Sequence, residues 1–141
     1  MKIFIIMGAL LLSGCSLLFN YQPVEYGLTP LFDSIQSAME WETNEITYKS
    51  DPANYGKEDY WASPKETLDR KCGDCEDFSI LLMYMIYTSF GGKADLVCTS
   101  DHAIVKYAGK YYEPQGAVSY DSYPGIIKTY SFDYVMNVVK N

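Results

Sequence analysis

Three side chains in this 141-residue chain have the types that acyl transfer requires: Cys75, His102 and Glu113. A thiolate attacking a carbonyl needs an imidazole to take and return a proton, a third group to hold the ring, and donors for the oxyanion. Cys75 stands where the polar turn Lys71-Cys72-Gly73-Asp74 runs into the apolar stretch Ser79 to Phe90, at the start of a predicted helix. Unpaired N–H groups and the positive end of the helix dipole there bias a thiol toward thiolate, and the backbone N–H of Cys75 is a natural oxyanion donor. His102 is the only histidine, so a Cys/His pair has one possible base. Glu113 is expected across a hairpin from His102, within cross-strand reach, with Asp101, Tyr112 and Gln115 as alternatives for the third role. Glu76 and Asp77 read more simply as first-turn acids that complement the helix dipole. They oppose thiolate formation, which leaves His102 as the positive partner.

The elements that must position these groups are legible from period and punctuation. Leu31, Ile35 and Met39, with Phe32 and Trp41 one face over, predict an amphipathic helix from Pro30 to about Glu45, followed by a polar loop around Pro52 and Gly56. Ser63-Pro64-Lys65-Glu66 is a complete helix start, with a serine cap, proline at the first position and glutamate three residues on, so a short helix should run from Pro64 to about Lys71 and stop near Gly73. Asp74 with Asp77 caps the next helix. Phe78, Leu81, Leu82, Met85 and Ile86 fall on its apolar side, and Gly91-Gly92 ends it. Being apolar nearly all round, it is expected to be the central buried helix. Beyond it the period becomes two. Strands are expected over Ala94 to Cys98, His102 to Tyr107 and Lys110 to Glu113, the last two joined at Ala108-Gly109. After a loop from Pro114 to Pro124, Gly125 to Tyr130 reads as a further strand, and Ser131 with Asp133 opens a final helix through Val139. Helices followed by an antiparallel sheet packed on one of them define an α+β class.

Composition narrows the function. At 48% hydrophobic and 16% aromatic the chain can build one ordinary core, and a net charge of −7 with no basic patch gives nucleic-acid binding no support. Lys2, the apolar run Ile3 to Leu12 and the small residues Ser13-Gly14 have the layout of a secretory signal whose apolar core is too short to span a bilayer permanently. Leu12-Ser13-Gly14-Cys15 resembles the bacterial lipobox. That resemblance implies cleavage before Cys15 and acylation, palmitate included, of its thiol and new amino group. The chain then divides into a signal peptide at 1–14, a lipidated N-terminus and tether at 15–29 and a domain at 30–141, held at the bacterial cell envelope outside the cytoplasm. Ser16 after the cysteine is compatible with an outer membrane. Once Cys15 is lipidated, Cys72, Cys75 and Cys98 remain, an odd number in an oxidising compartment, so at least one thiol is free within a monomer.

Tyr60-Trp61-Ala62-Ser63-Pro64-Lys65-Glu66-Thr67, then Gly73-Asp74-Cys75-Glu76-Asp77, then Asp101-His102-Ala103 and an acidic residue one strand on, resemble the bacterial transglutaminase-like cysteine peptidases over roughly residues 31 to 115. The resemblance implies a papain-like, transglutaminase-like α+β core, with the cysteine on the central helix and the histidine and acid on neighbouring strands. It also implies amide cleavage or transfer through a thioester. Carried over by position, Cys75 is the nucleophile, His102 the base and Glu113 the orienting acid. Trp61 and Tyr60, with Tyr55, are the upstream candidates for a second oxyanion donor, Trp61 being more simply a core residue. Glutamate stands where aspartate is more usual, and Cys72 is an extra cysteine. Some relatives use calcium, yet no clean oxygen-ligand loop is visible, and the expectation is no cofactor and no metal.

Other readings compete. Cys72-Gly-Asp-Cys75 has redox-pair spacing, but a capped helix precedes it where a thioredoxin-like fold needs a buried strand. Cys72, Cys75, Cys98 and His102 have acceptable zinc spacing, which would make a zinc-stabilised binding domain. A Cys72–Cys98 disulfide would leave Cys75 free, and Cys98 otherwise reads as a small buried hydrophobe. The leading expectation is a monomeric, lipid-anchored thiol hydrolase or acyltransferase acting on an amide of a protein or cell-wall peptide. The alternative from another class is a catalytically silent member that binds a partner or peptide in the same cleft.

Overall fold

The computed structural model describes residues 24–140. The lipobox and Cys15 therefore lie outside the described residues. Helix α1 covers Ile35–Glu45, starting later than the periodicity from Pro30 predicts. The reason is local: Ser34 accepts from the Ser37 N–H and the Ser37 hydroxyl serves the Ser34 N–H, a reciprocal cap that fixes the first turn there. Val24 and Leu28, read from the sequence as tether, pack against the core, and the Tyr84 hydroxyl clasps this segment by donating to the Glu25 carbonyl and accepting from the Leu28 N–H.

The polar loop expected around Pro52 contains a short helix, α2, Asp51–Tyr55, with Pro52 in its first turn and Gly56 left-handed at its end. Helix α3 is Pro64–Arg70 and carries the capping box read from Ser63 and Glu66. Two short strands, β1 (Thr47–Tyr48) and β2 (Cys72–Gly73), pair in parallel, with Thr47 opposite Cys72 and Tyr48 opposite Gly73. This bridge decides the site's geometry, because it ties the segment entering Asp51 to the segment entering Cys75. Gly73 is required for the close approach: a Cβ there would sit 2.5 Å from the Asp77 Cβ.

Helix α4, Cys75–Phe90, is the centre of the domain. Asp74 caps it by accepting from the Asp77 N–H, and every residue from Asp77 to Ile86 is buried. Each fully buried Leu or Ile, such as Leu81, Leu82 and Ile86, contributes about 2 kcal/mol from removal of apolar surface from water. Helices α1 and α3 and strands β3 and β4 all contact it, as an all-round apolar helix demands.

The sheet is antiparallel, five-stranded and ordered β6-β5-β4-β3-β7. Its members are β3 (Asp95–Cys98), β4 (Ala103–Tyr107), β5 (Lys110–Glu113), β6 (Val118–Tyr120) and β7 (Lys128–Tyr130). The β4–β5 turn falls at Ala108-Gly109, both with positive φ, and sets the register Val105 opposite Tyr112. The expected loop from Pro114 to Pro124 instead folds as a 3-10 turn, Pro114–Gly116, and the edge strand β6. Helix α5, Phe132–Val138, follows its Ser131 cap. The fold is the α+β arrangement read from the sequence, a central cysteine-bearing helix on a small antiparallel sheet. No helix among the described residues is long and apolar enough to cross a membrane.

Candidate active site

Helix α4 delivers Cys75 at its first position, and β4 begins one residue after His102. The two elements meet there. The Ala103 N–H lies close enough to the Cys75 sulfur to favour its thiolate, and the Ser79 hydroxyl, one turn along α4, donates to the Ala103 carbonyl at 3.1 Å. Cys75 is thereby pinned beside the residue that follows His102. Across the β4–β5 hairpin, His102 Nε2 bonds Glu113 Oε2. Glu113 keeps a side-chain exposure of 15% against 26% for His102, so the carboxylate is the more enclosed of the pair. Asp101 bonds the hydroxyls of Thr99 and Ser100 instead of His102. Of the alternatives weighed for the third role, Glu113 is the one in contact with His102.

The electrostatics of Cys75 differ from the helix-dipole expectation. Its thiol donates to Glu76 Oε2 at 2.9 Å. Burial first, then the Glu76 hydrogen bond and charge and the Asp74 charge, push the thiol well above its ordinary range, and the Ala103 N–H only partly offsets this. Dipole and N–H groups favour thiolate at a helix start. Here adjacent carboxylates and desolvation outweigh a dipole worth typically under 1 kcal/mol.

Those carboxylates form a cluster. Asp51, Asp74 and Asp77 place one oxygen each within 4.8 Å of one another, and Asp74, Cys75 and Glu76 form a second such group. Asp77 accepts from the Ala62 N–H at 2.8 Å and Asp51 from the Tyr60 N–H at 2.6 Å. Burial is the leading cause that raises Asp77 to about 7 and Asp74 to about 8, with neighbouring carboxylates adding to both. One buried oxygen of Asp51 has no partner. An all-oxygen donor set with an orphaned carboxylate oxygen fits a hard divalent cation of the calcium type. Bound there, such a cation would neutralise charge that holds Cys75 protonated.

The zinc set of Cys72, Cys75, Cys98 and His102 does not assemble among the described residues: neither group of converging ligands contains His102 or a second cysteine. Cys72, Cys75 and Cys98 are free thiols. Cys72 points to Asn54, and burial raises Cys98 to about 11.

Tyr60 and Trp61, two of the upstream oxyanion candidates, sit on the segment whose N–H groups serve Asp51 and Asp77. The Tyr60 hydroxyl donates to Glu66 at 2.8 Å, Trp61 packs edge-on against Tyr130, and the Tyr55 hydroxyl is buried without a partner beneath Arg70. The residue that sequence reasoning missed is Asp51 at the start of α2, which joins Asp74 and Asp77. Tyr48 on β1 is largely exposed, and partial desolvation and then the charges of Cys75, Asp74 and Glu76 raise its hydroxyl.

A half-buried cysteine at the start of the central helix, with a histidine and an acid in contact across a strand hairpin, defines a cysteine-centred architecture of the transglutaminase-like class. The chain belongs to that family: the transglutaminase-like domain matches residues 28–112. Among solved structures, LapG of Legionella pneumophila shares the fold, with a TM-score of 0.52 and 15% identity, over 74% of this chain and 71% of that one. No curated protein matches.

Proposed function

We propose that this chain is a lipid-anchored, extracytoplasmic thiol hydrolase or acyltransferase that acts on an amide of a protein or cell-wall peptide. The observation that supports the reading is the placing of the Cys75 sulfur beside Ala103, the residue next to His102, together with the bond from the His102 ring to Glu113. In this reading His102 takes the Cys75 proton, and Glu113 holds the ring and stabilises the imidazolium. The sulfur adds to the amide carbonyl, and the Cys75 N–H receives the oxyanion. His102 then gives its proton to the departing amine, leaving a thioester on Cys75. Water or a second amine attacks that thioester, and the thiol is restored. The lipid on Cys15 confines the reaction to the membrane surface, and mass spectrometry of the mature protein should find the acyl mass there.

One observation favours a second reading. The thiol's hydrogen bond to Glu76 keeps it neutral, as a silent binding domain would tolerate. Incubating the protein with a complex peptide mixture separates the two. The enzyme generates new peptide termini or cross-links that disappear in Cys75→Ser and fall at least a hundredfold in His102→Ala. A silent binder yields none above the Cys75→Ser background.

A further inference from the structure

Beyond His102 lies an open depression of about 620 Å³, bounded by the β3–β4 turn and the loop joining β6 to β7. Asp101, His102, Tyr120, Tyr123 and Pro124 are among its walls, no α4 residue is, and none of the lining residues is lysine or arginine. In acyl transfer the amine leaves beside the group that protonates it. A depression with His102 as a wall and Cys75 outside it therefore receives whatever is attached to the leaving nitrogen. Tyr120 and Tyr123 meet edge to face with centroids 5.6 Å apart, forming an aromatic corner. Burial, Glu113 and Asp101 all tighten the Tyr123 hydroxyl's hold on its proton, a sign of negative potential in this wall. The nearby lysines are engaged elsewhere: Lys106 lies over Tyr111, and Lys110 pairs with Asp121. His102 is the one lining group able to carry positive charge, and Glu113 offsets it.

Resting on the hydrolase reading above, we propose that this depression is the leaving-side specificity pocket. It takes a cationic side chain, lysine or arginine, on the residue that follows the scissile amide. Asp101 supplies the counter-charge and the Tyr120–Tyr123 corner the ring faces that attract a cation. Neither is a catalytic residue; both select substrate.

The test uses p-nitrophenyl acetate. Its acetyl group passes to the Cys75 sulfur as p-nitrophenolate leaves. An added amine then attacks the thioester carbonyl, the C–S bond breaks, and the amine's proton returns to the thiol through His102. L-Argininamide and L-citrullinamide offer α-amines of similar basicity and differ in side-chain charge. Argininamide should capture about tenfold more acetyl than citrullinamide, and the ratio should fall to within about twofold in Asp101→Asn and in Tyr123→Ala. Equal capture by the intact protein, or an unchanged preference in Asp101→Asn, overturns the proposal. Absence of any acetyl thioester counts against the hydrolase reading alone, so binding is measured separately in Cys75→Ala with ring-labelled tyrosine. Saturable shifts of the Tyr123 resonances with argininamide but not citrullinamide sustain the pocket, and no shift refutes it whatever the catalysis does.

Discussion

Replacing Glu76 by glutamine should make Cys75 more reactive, although Glu76 lies beside the nucleophile and its loss would ordinarily be expected to harm an active site. The carboxylate accepts from the thiol at 2.9 Å and is, with burial, a main cause of the raised thiol. A unit charge about 4 Å from a developing thiolate opposes it by about 4 kcal/mol at an effective dielectric near 20. Glu76 is partly open to water, so about half of that, roughly 2 kcal/mol or 1.5 pH units, is the expected relief. At pH 7.5 this raises the thiolate fraction about 30-fold. Lower intrinsic nucleophilicity of the less basic thiolate, with a Brønsted slope near 0.45, leaves a net gain of roughly sixfold. The assay is the rate of iodoacetamide alkylation at Cys75, resolved by peptide mass spectrometry, with Cys72 in the same molecule as reference. The thiol remains above its ordinary range in the variant because burial is unchanged. An unaltered or slower Cys75 rate relative to Cys72 would refute this account of the site's electrostatics.

Three further outcomes follow from desolvated acids. Asp77 and Asp74, raised to about 7 and 8, hold protons that the unfolded chain releases near pH 4. Their contribution is therefore fully present below pH 4 and is lost as pH rises through about 8, with a slope of up to about 1.4 kcal/mol per pH unit for Asp77 and less for Asp74, which is more open to water. Urea denaturation of Asp77→Asn should show a flatter decline between pH 5 and 8, and an identical slope would contradict the shift. Asp77→Ala orphans the buried Ala62 N–H and should cost about 1–3 kcal/mol at either pH. Glu42 is fully buried on α1 with both oxygens unpartnered, and burial raises it well above its ordinary range. Glu42→Leu, close in volume, should stabilise by about 2 kcal/mol at pH 7, and a lower melting temperature would show that the carboxyl has a partner.

How much could be read in advance depended on range. Helix α4, its Asp74 cap and its Gly91 stop are local statements, as are the Ser63 capping box and the Ala108-Gly109 turn, and all are present. The His102–Glu113 contact followed from one histidine and one hairpin register. Strands β1 and β2 pair only two residues each and have no period to detect. Their bridge is nonetheless what gathers Asp51 with Asp74 and Asp77 and sets Tyr48 in the field of Cys75. Strand β6 was hidden in a Gly- and Pro-punctuated segment, and α2 is a polar, proline-bearing stretch that reads equally as loop. The thiol's protonation could not be inferred from helix position, because it is set by the Glu76 rotamer and by burial, both tertiary outcomes.

The central claim is that Cys75 and His102 act together on an acyl group. Intact-mass analysis during turnover of p-nitrophenyl acetate tests it directly. The account predicts a single added acetyl group, mapped to Cys75, that clears with time in the wild-type protein and persists in His102→Ala. Absence of the adduct, or clearance at the same rate without His102, would contradict it.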